Sequence, residues 1–143
     1  YKEPKIWNEL MLPLQKLIST EKPDYIAGIE SRGFISASAL AFKLEKGFIT
    51  IRKPNKLPGE VISTNYKLEY GEDGLEIQQN IIEKDSRILL FDDLLATGGT
   101  VDCISQILKE SNKNTVGLSV VIELEFLKGR ERFSFPVSSE MIF

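Results

Sequence analysis

Histidine is absent from this 143-residue chain, and cysteine occurs once, as Cys103. One cysteine cannot form a disulfide framework or a thiolate metal site, so the sequence favours a reducing compartment such as the cytoplasm. No apolar run approaches the roughly 20 residues that span a bilayer, and there is no signal-peptide pattern, so we expect a soluble protein with no membrane contact. The net charge of -3 gives no bulk attraction to nucleic acid, and we expect no such partner.

The length of the chain and its 42% hydrophobic content suit a single domain with one core. The first residue is Tyr1 rather than a methionine. We therefore interpret residues 1–143 as one domain that lacks its natural N-terminal segment.

Short apolar runs alternate with segments of helical periodicity along the chain. Apolar positions three and four apart predict helices over residues 5–19, 34–47 and 100–111, with Gly47 as the stop of the second. Strands of the buried type are predicted over residues 24–29, 48–52, 88–93 and 115–124. This alternation predicts an α/β fold: a mainly parallel twisted sheet, helices on both faces, and ligands at the carboxyl ends of the strands.

Residues 53–60, KPNKLPGE, are rich in lysine, proline and glycine, and they predict a mobile loop. Beyond this loop, VIST and YKLEYG are predicted to pair as a small hairpin. LEIQ, residues 75–78, is predicted to resume an extended run.

The stretch RILLFDDLLATGGT, residues 87–100, carries the strongest functional signal. Asp92 and Asp93 end a buried strand, and the small residues that follow open a helix whose N–H groups can surround a phosphate: Ala96, Thr97, Gly98, Gly99 and Thr100. Carboxylates would repel that phosphate, so these two are predicted to bind sugar hydroxyls or to hold Mg2+ through water. As a purely structural alternative, the two acids would cap a turn and the glycines would form a flexible start of the helix. The complete sequence of residues 87–100 favours a binding site instead.

FDDLLATGGT resembles the signature for 5-phosphoribosyl 1-pyrophosphate in type I phosphoribosyltransferases. Further motifs stand in the family's order between about Tyr25 and Arg132: YIAGIESRGF, IRKPNKLPG, YKLEYG with LEIQ, and IELEFLKGRE. The resemblance is greatest to the members that act on adenine. It implies the type I fold with a mobile hairpin lid, and a hood over the base from the segment ahead of the first helix.

The resemblance also implies a reaction in purine salvage. The 5-phosphoribosyl group would move from 5-phosphoribosyl 1-pyrophosphate, the donor, to N9 of adenine, giving AMP and pyrophosphate. Mg2+ would act through substrate and water rather than through a dedicated set of protein ligands, and the enzyme would be a homodimer. No covalent intermediate is needed, so the absence of histidine does not count against this chemistry.

The resemblance assigns roles to particular positions. Ser31 and Arg32 would bind pyrophosphate, and the peptide bond between Glu30 and Ser31 would be cis. Three cations further along the chain would also bind pyrophosphate: Arg52, Lys53 and Lys56. Glu69 would act on the adenine ring as an acid or base beside Tyr70, and the purine would stack on Leu94. Without the resemblance, the cations equally suit a solvated basic turn, and Glu69 and Tyr70 a plain hairpin. We interpret Phe34 and Leu95 as core residues, and Trp7 and Cys103 as packing residues on helices.

Two alternatives stay open at this level. The acceptor could be another base, such as xanthine or orotate. The chain could also be a regulator that keeps the fold as a nucleotide sensor, although a DNA-binding segment is not visible in it.

Overall fold

The computed structural model describes residues 2–68 and 71–143, and the side chains of these except at 13, 64–68 and 71–73. The described residues form three α-helices: α1 (Pro4–Glu21), α2 (Gly33–Lys43) and α3 (Gly99–Glu110). They also form seven strands: β1 (Tyr25–Ile29), β2 (Gly47–Ile51), β3 (Val61–Leu68), β4 (Gly71–Gln78), β5 (Arg87–Leu95), β6 (Asn114–Glu123) and β7 (Val137–Ile142). Two short 3-10 turns, Glu125–Leu127 and Gly129–Arg132, join the last two strands.

The main sheet is parallel and has the strand order β2-β1-β5-β6-β7. The chain leaves β1 through α2 towards one edge and leaves β5 through α3 towards the other. The order therefore reverses between β1 and β5, which is the position where open α/β sheets bind ligands. The predicted α/β fold is confirmed.

Apolar side chains of β5 are buried on both faces of the sheet. Leu89 and Phe91 pack in a cluster with α1 and α2, whereas Ile88 and Leu90 pack in a second cluster with α3. Successive strand residues point to opposite faces, so a central strand covered on both sides needs apolar residues at every position. This explains the uninterrupted run in the sequence.

The small second sheet corrects the predicted hairpin. β3 pairs with β4 in antiparallel register from Val61 opposite Gln78 to Leu68 opposite Gly71. VIST and YKL therefore lie in the same strand, and LEIQ forms the opposite one, because residues 61–68 stay extended throughout. Leu75 and Ile77 are buried in the α3 cluster, so the base of this hairpin belongs to the core.

Two other boundaries differ from the sequence predictions. α2 ends at Lys43, and Glu45 takes a left-handed conformation with φ 52°, so Gly47 opens β2 instead of stopping the helix. β7 is not predicted by the sequence, since its mixed SSEM pattern lacks a clear period. In the part of the chain that the structure describes, no helix has the length and apolar composition needed to cross a lipid bilayer.

Candidate active site

The acid pair lies where β5 extends beyond its neighbour β1. β1 pairs with β5 only as far as Gly28 opposite Phe91, whereas β6 accompanies β5 to Leu95. α2 begins close by, because a Cβ on Gly33 would stand 2.8 Å from the Phe91 carbonyl oxygen. A crevice thus opens at the carboxyl end of β5, and Asp92 and Asp93 line it.

Arg32, in the ESRG loop of residues 30–33, connects this loop to the acid pair through a hydrogen bond. Its Nε donates a hydrogen bond to Oδ2 of Asp93, and the backbone N–H of Asp93 donates to Oδ1 of Asp92 at 2.8 Å. Burial raises the pKa of Asp92, to about 7, and the adjacent Asp93 carboxylate adds to this effect. Partial burial also raises the pKa of Asp93, but the Arg32 guanidinium outweighs it and leaves the pKa below its ordinary value. The two acids therefore stand in different electrostatic environments.

Glu30, which the sequence argument did not select, organises the basic loop after β2. Its carboxylate accepts hydrogen bonds from Lys56 Nζ at 2.7 Å, from the Lys53 backbone N–H at 2.8 Å and from Arg52 Nε at 3.4 Å. The Lys56 hydrogen bond lowers the pKa of Glu30 to about 2. The expected cis bond between Glu30 and Ser31 is present. One carboxylate thus brings the predicted pyrophosphate ligands of both loops together.

Phe34 is half-buried and does not belong to either buried cluster, which corrects its interpretation as a core residue. Its ring meets Phe48 edge-on at 6.4 Å between centroids. The guanidinium of Arg52 lies over the same ring, 6.0 Å from the centroid. Arg52 is therefore in contact with both the Phe34 ring and the Glu30 carboxylate. Leu95 and Cys103 are buried as predicted, and Trp7 packs against the α1 and α2 cluster.

Residues 96–100 enclose a small cavity of about 80 Å³ together with Asp92 and Leu94. Gly98 precedes α3 with φ 80°, and no side chain caps the helix. Since the first N–H groups of a helix lack intrahelical partners, they are donors for an anion at this point. A Cβ on Gly99 would meet nothing nearer than Thr97 Oγ1 at 3.9 Å, so the space above Gly99 is open. Residues 96–100 thus form an open loop at an uncapped helix start, and phosphate binding there stays a prediction.

The 3-10 turn Gly129–Arg132 lies directly behind this loop. A Cβ on Gly129 would overlap the carbonyl oxygen of Ala96, and a Cβ on Gly98 would stand 2.9 Å from the Gly129 oxygen. Arg130 fixes the turn, because its guanidinium forms a two-pronged ion pair with the buried Glu123 at the end of β6. Gly129 and Arg130 lie in the LKGRE part of the family resemblance, but their role as support for the loop was not predicted.

A larger, mostly apolar cavity of about 530 Å³ adjoins Asp93 and Arg32. Leu94 lies on its wall and is 38% exposed, and its stacking role stays a prediction. The other apolar wall residues come from α1 and β6: Ile6, Trp7, Leu10, Met11, Val121 and Ile122. The crevice therefore has a glycine-lined end at residues 96–100, a polar centre at the acid pair and an apolar flank.

A family model described as the phosphoribosyl transferase domain matches residues 1–136. The chain belongs to this phosphoribosyltransferase family. An adenine phosphoribosyltransferase of Prochlorococcus marinus (strain NATL1A) is 76% identical over 131 residues, which cover 92% of this chain and 76% of that protein.

Solved phosphoribosyltransferase structures agree with the fold. The crystal structure of adenine phosphoribosyltransferase from Thermoanaerobacter pseudethanolicus is 37% identical with a TM-score of 0.93, covering 99% of this chain and 83% of the other. The Saccharomyces cerevisiae enzyme, complexed with an imino-altritol bisphosphate and adenine, is 36% identical with a TM-score of 0.90, covering 97% and 81%.

The catalytic candidates Glu69 and Tyr70 lie outside the described residues. Within the described part of the chain, no three His, Cys, Asp or Glu side chains come close enough to hold a metal ion. Adjacent carboxylates fit Mg2+, which prefers oxygen ligands and usually keeps several waters when it binds with a phosphate substrate. Asp92 and Asp93 thus suit an ion that is held largely by substrate and water.

Proposed function

We propose that this chain catalyses the transfer of the 5-phosphoribosyl group from 5-phosphoribosyl 1-pyrophosphate to N9 of adenine, giving AMP and pyrophosphate. The observation that carries this proposal is the acid pair beside an open phosphate loop at the switch point of the sheet. The 76% identity with an adenine phosphoribosyltransferase supports adenine over xanthine or orotate, and an enzyme over a nucleotide-sensing regulator.

The donor is bound at three points in this mechanism. Its 5-phosphate accepts hydrogen bonds from the backbone N–H groups of residues 96–100. The ribose hydroxyls donate to Asp92 and Asp93. The pyrophosphate lies against the Ser31–Arg32 loop and against three cations, Arg52, Lys53 and Lys56. Such contacts fix the sugar with its C1 facing the base.

Breaking the bond at C1 leaves positive charge on the ribose and negative charge on the departing pyrophosphate. The guanidinium of Arg32 and the cations of the basic loop stabilise the pyrophosphate, and fixed charges of this kind are worth most where water is excluded. Mg2+, held by substrate and water near Asp92 and Asp93, would supply further charge neutralisation on the pyrophosphate.

The base is bound on the apolar flank, where Leu94 provides a stacking surface. Glu69 and Tyr70 are assigned to act on the base when the lid that the family resemblance implies closes. Leu75 and Ile77 of β4 are buried, so this part of the second sheet belongs to the core rather than to the lid. Closure keeps water from the reactive sugar.

One experiment tests the assignment directly. The protein is incubated with the donor, Mg2+ and each of adenine, hypoxanthine, guanine, xanthine and orotate, and any nucleotide is identified by mass spectrometry. We expect AMP from adenine and no nucleotide from the other bases. A nucleotide from orotate or xanthine would assign a different acceptor, and none from any base would remove the enzymatic function.

The same proposal includes a homodimer in the cytoplasm, where a lone buried cysteine, Cys103, is stable. Ile35, Phe42 and Phe48 present exposed apolar surface on α2 and β2, and Phe42 is 91% exposed. Phe42→Ser should therefore shift the protein towards monomer in light-scattering chromatography. Phe126→Ser, at another exposed phenylalanine, is the control. A wild-type protein that elutes as a monomer would disprove the dimer.

A further inference from the structure

A second polar cavity of about 420 Å³ lies outside the active site, between α3 and the segment that leads to β7. One wall is the outer face of α3, where Asp102, Gln106 and Lys109 follow each other at helical spacing. The opposite wall is residues 132–135, and residues 113–115 at the start of β6 form the floor. We call this cavity the α3 groove.

The charges that line the α3 groove are mainly positive. Lys109, Lys113 and Arg132 line it together with a single acid, Asp102. Lys109 and Arg132 are exposed, and neither forms an ion pair with any described residue. Lys113 is 8% exposed and donates a hydrogen bond from Nζ to the Ser111 carbonyl oxygen at 3.1 Å. The groove therefore favours an anion over a cation.

The floor also has unused hydrogen-bonding capacity. Oγ1 of Thr115 is buried, and no described residue forms a hydrogen bond with it. A buried hydroxyl without a partner is unfavourable, so a ligand that reaches Thr115 Oγ1 through a small shift of the floor would relieve this cost. The stacked rings of Phe133 and Phe135, 5.0 Å apart, add a flat apolar surface beside the polar floor.

The α3 groove shares a wall with the phosphate loop. A Cβ on Gly98 would stand 3.0 Å from Cζ of Phe133 and 3.2 Å from Cδ of Arg132. Both residues thus contact the loop from behind while they line the groove. A movement of the Arg132 side chain in the groove would therefore change the packing against Gly98.

We propose that the α3 groove is a second anion site, which binds a small phosphate-bearing molecule and is energetically coupled to the phosphate loop. Anion binding in the α3 groove depends only on the groove residues. The coupling to the phosphate loop rests on the function proposed for that loop. Coupling between two sites is reciprocal, so a ligand on the loop must change the affinity of the groove by the same factor.

The test is a titration of the ¹⁵N-labelled protein with inorganic phosphate, followed by NMR at constant ionic strength set with chloride. The amides of Thr115 and Ser134 report on the groove, and those of Gly98 and Gly99 report on the loop. We expect saturable shifts at the groove amides with millimolar affinity, which is the range of weak anion sites. Lys109→Met and Arg132→Met should each weaken this binding by about threefold, because each removes one of the three cations that line the groove and both side chains are exposed. Lys16→Met removes an exposed cation from α1, which packs on the other face of the sheet from α3, and should leave this binding unchanged.

The coupling is tested by repeating the titration on protein saturated with AMP. We expect the groove dissociation constant to change by about fivefold or more. Groove amides that do not shift, or that shift with the same constant in the Lys109→Met and Arg132→Met variants, would overturn the site. A constant unaffected by bound AMP would overturn the coupling alone. Failure of AMP to bind would contradict the proposed function, while the groove titration in the free protein would still decide the site.

Discussion

Nζ of Lys56 lies 2.7 Å from Oε1 of Glu30, so a carboxylate that follows β1 holds a cation of the loop that follows β2. The Glu30 side chain is only 10% exposed, whereas that of Lys56 is 46% exposed. The carboxylate is therefore the fixed partner, and the lysine reaches towards it from the solvent side. The two parts of the proposed pyrophosphate site are joined before any ligand binds.

Glu30→Gln should lower the free energy of unfolding at pH 7 by about 1–2 kcal/mol, because the hydrogen bonds to this side chain are assisted by its charge. The pKa of Glu30 is lowered from 4.5 to about 2, so its contribution is present above pH 4.5 and is lost as the pH falls towards 2. The difference between wild type and variant should therefore be smaller at pH 4 than at pH 7 in urea unfolding. Glu110→Gln, at an exposed position on α3, should show no such trend. A pH-independent difference for Glu30→Gln would contradict the interpretation.

Asp92→Asn and Asp93→Asn should each lower kcat/KM for the donor by roughly tenfold to a hundredfold, since a charged acceptor of the ribose hydroxyls is lost. Steady-state kinetics with both substrates varied provide the measurement. Asp85→Asn is the matched control, because asparagine tolerates the φ of 62° that Asp85 adopts away from the site. Unchanged kinetics in both site variants would remove the acids from the donor site.

Gly99→Ala and Gly129→Ala should separate binding from stability. A methyl group on Gly99 enters open space, so we expect an unchanged Tm and weaker AMP binding in calorimetry, by about tenfold, through crowding of the 5-phosphate. A methyl group on Gly129 overlaps Ala96, so we expect a loss of about 2 kcal/mol of stability. If Gly99→Ala bound AMP as tightly as wild type, the phosphate would lie elsewhere.

Glu69→Gln should lower kcat about a hundredfold and leave donor affinity nearly unchanged, because the side chain is assigned to proton transfer on the base. Lys56→Ala should do the reverse and chiefly weaken the donor and pyrophosphate. Donor titration by calorimetry combined with steady-state kinetics distinguishes the two effects. A Glu69→Gln enzyme with normal kcat, or one that cannot bind the donor, would disprove the assigned role.

The sequence predicted the features whose signals are local. The apolar run of β5, the two acids at its end and the glycines after it occupy one continuous stretch, so their order along the chain predicts a strand, a loop and a helix start. The order of strands and helices followed from the same periodicity. The wrong hairpin pairing shows the limit, because VIST and LEIQ carry the same alternating signal and only the complete strands decide which segments pair.

The features that were not predicted depend on contacts between distant parts of the chain. Glu30 and Lys56 become partners only because β1 and β2 are neighbours in the sheet. Gly129 matters only because its turn lies against Ala96. A single acid or glycine in a loop has no signal of this kind in its own neighbourhood.

The contact between Gly98 and Gly129 also has a consequence for folding. The turn at 129–132 follows β6, so it can reach the loop only after β6 has been placed beside β5. During synthesis from the N-terminus, residues 129–132 are also made after β1, β2 and β5. A nascent chain that has assembled β1, β2 and β5 therefore already carries the acid pair, but its glycine loop acquires its final shape only when the second half of the sheet docks.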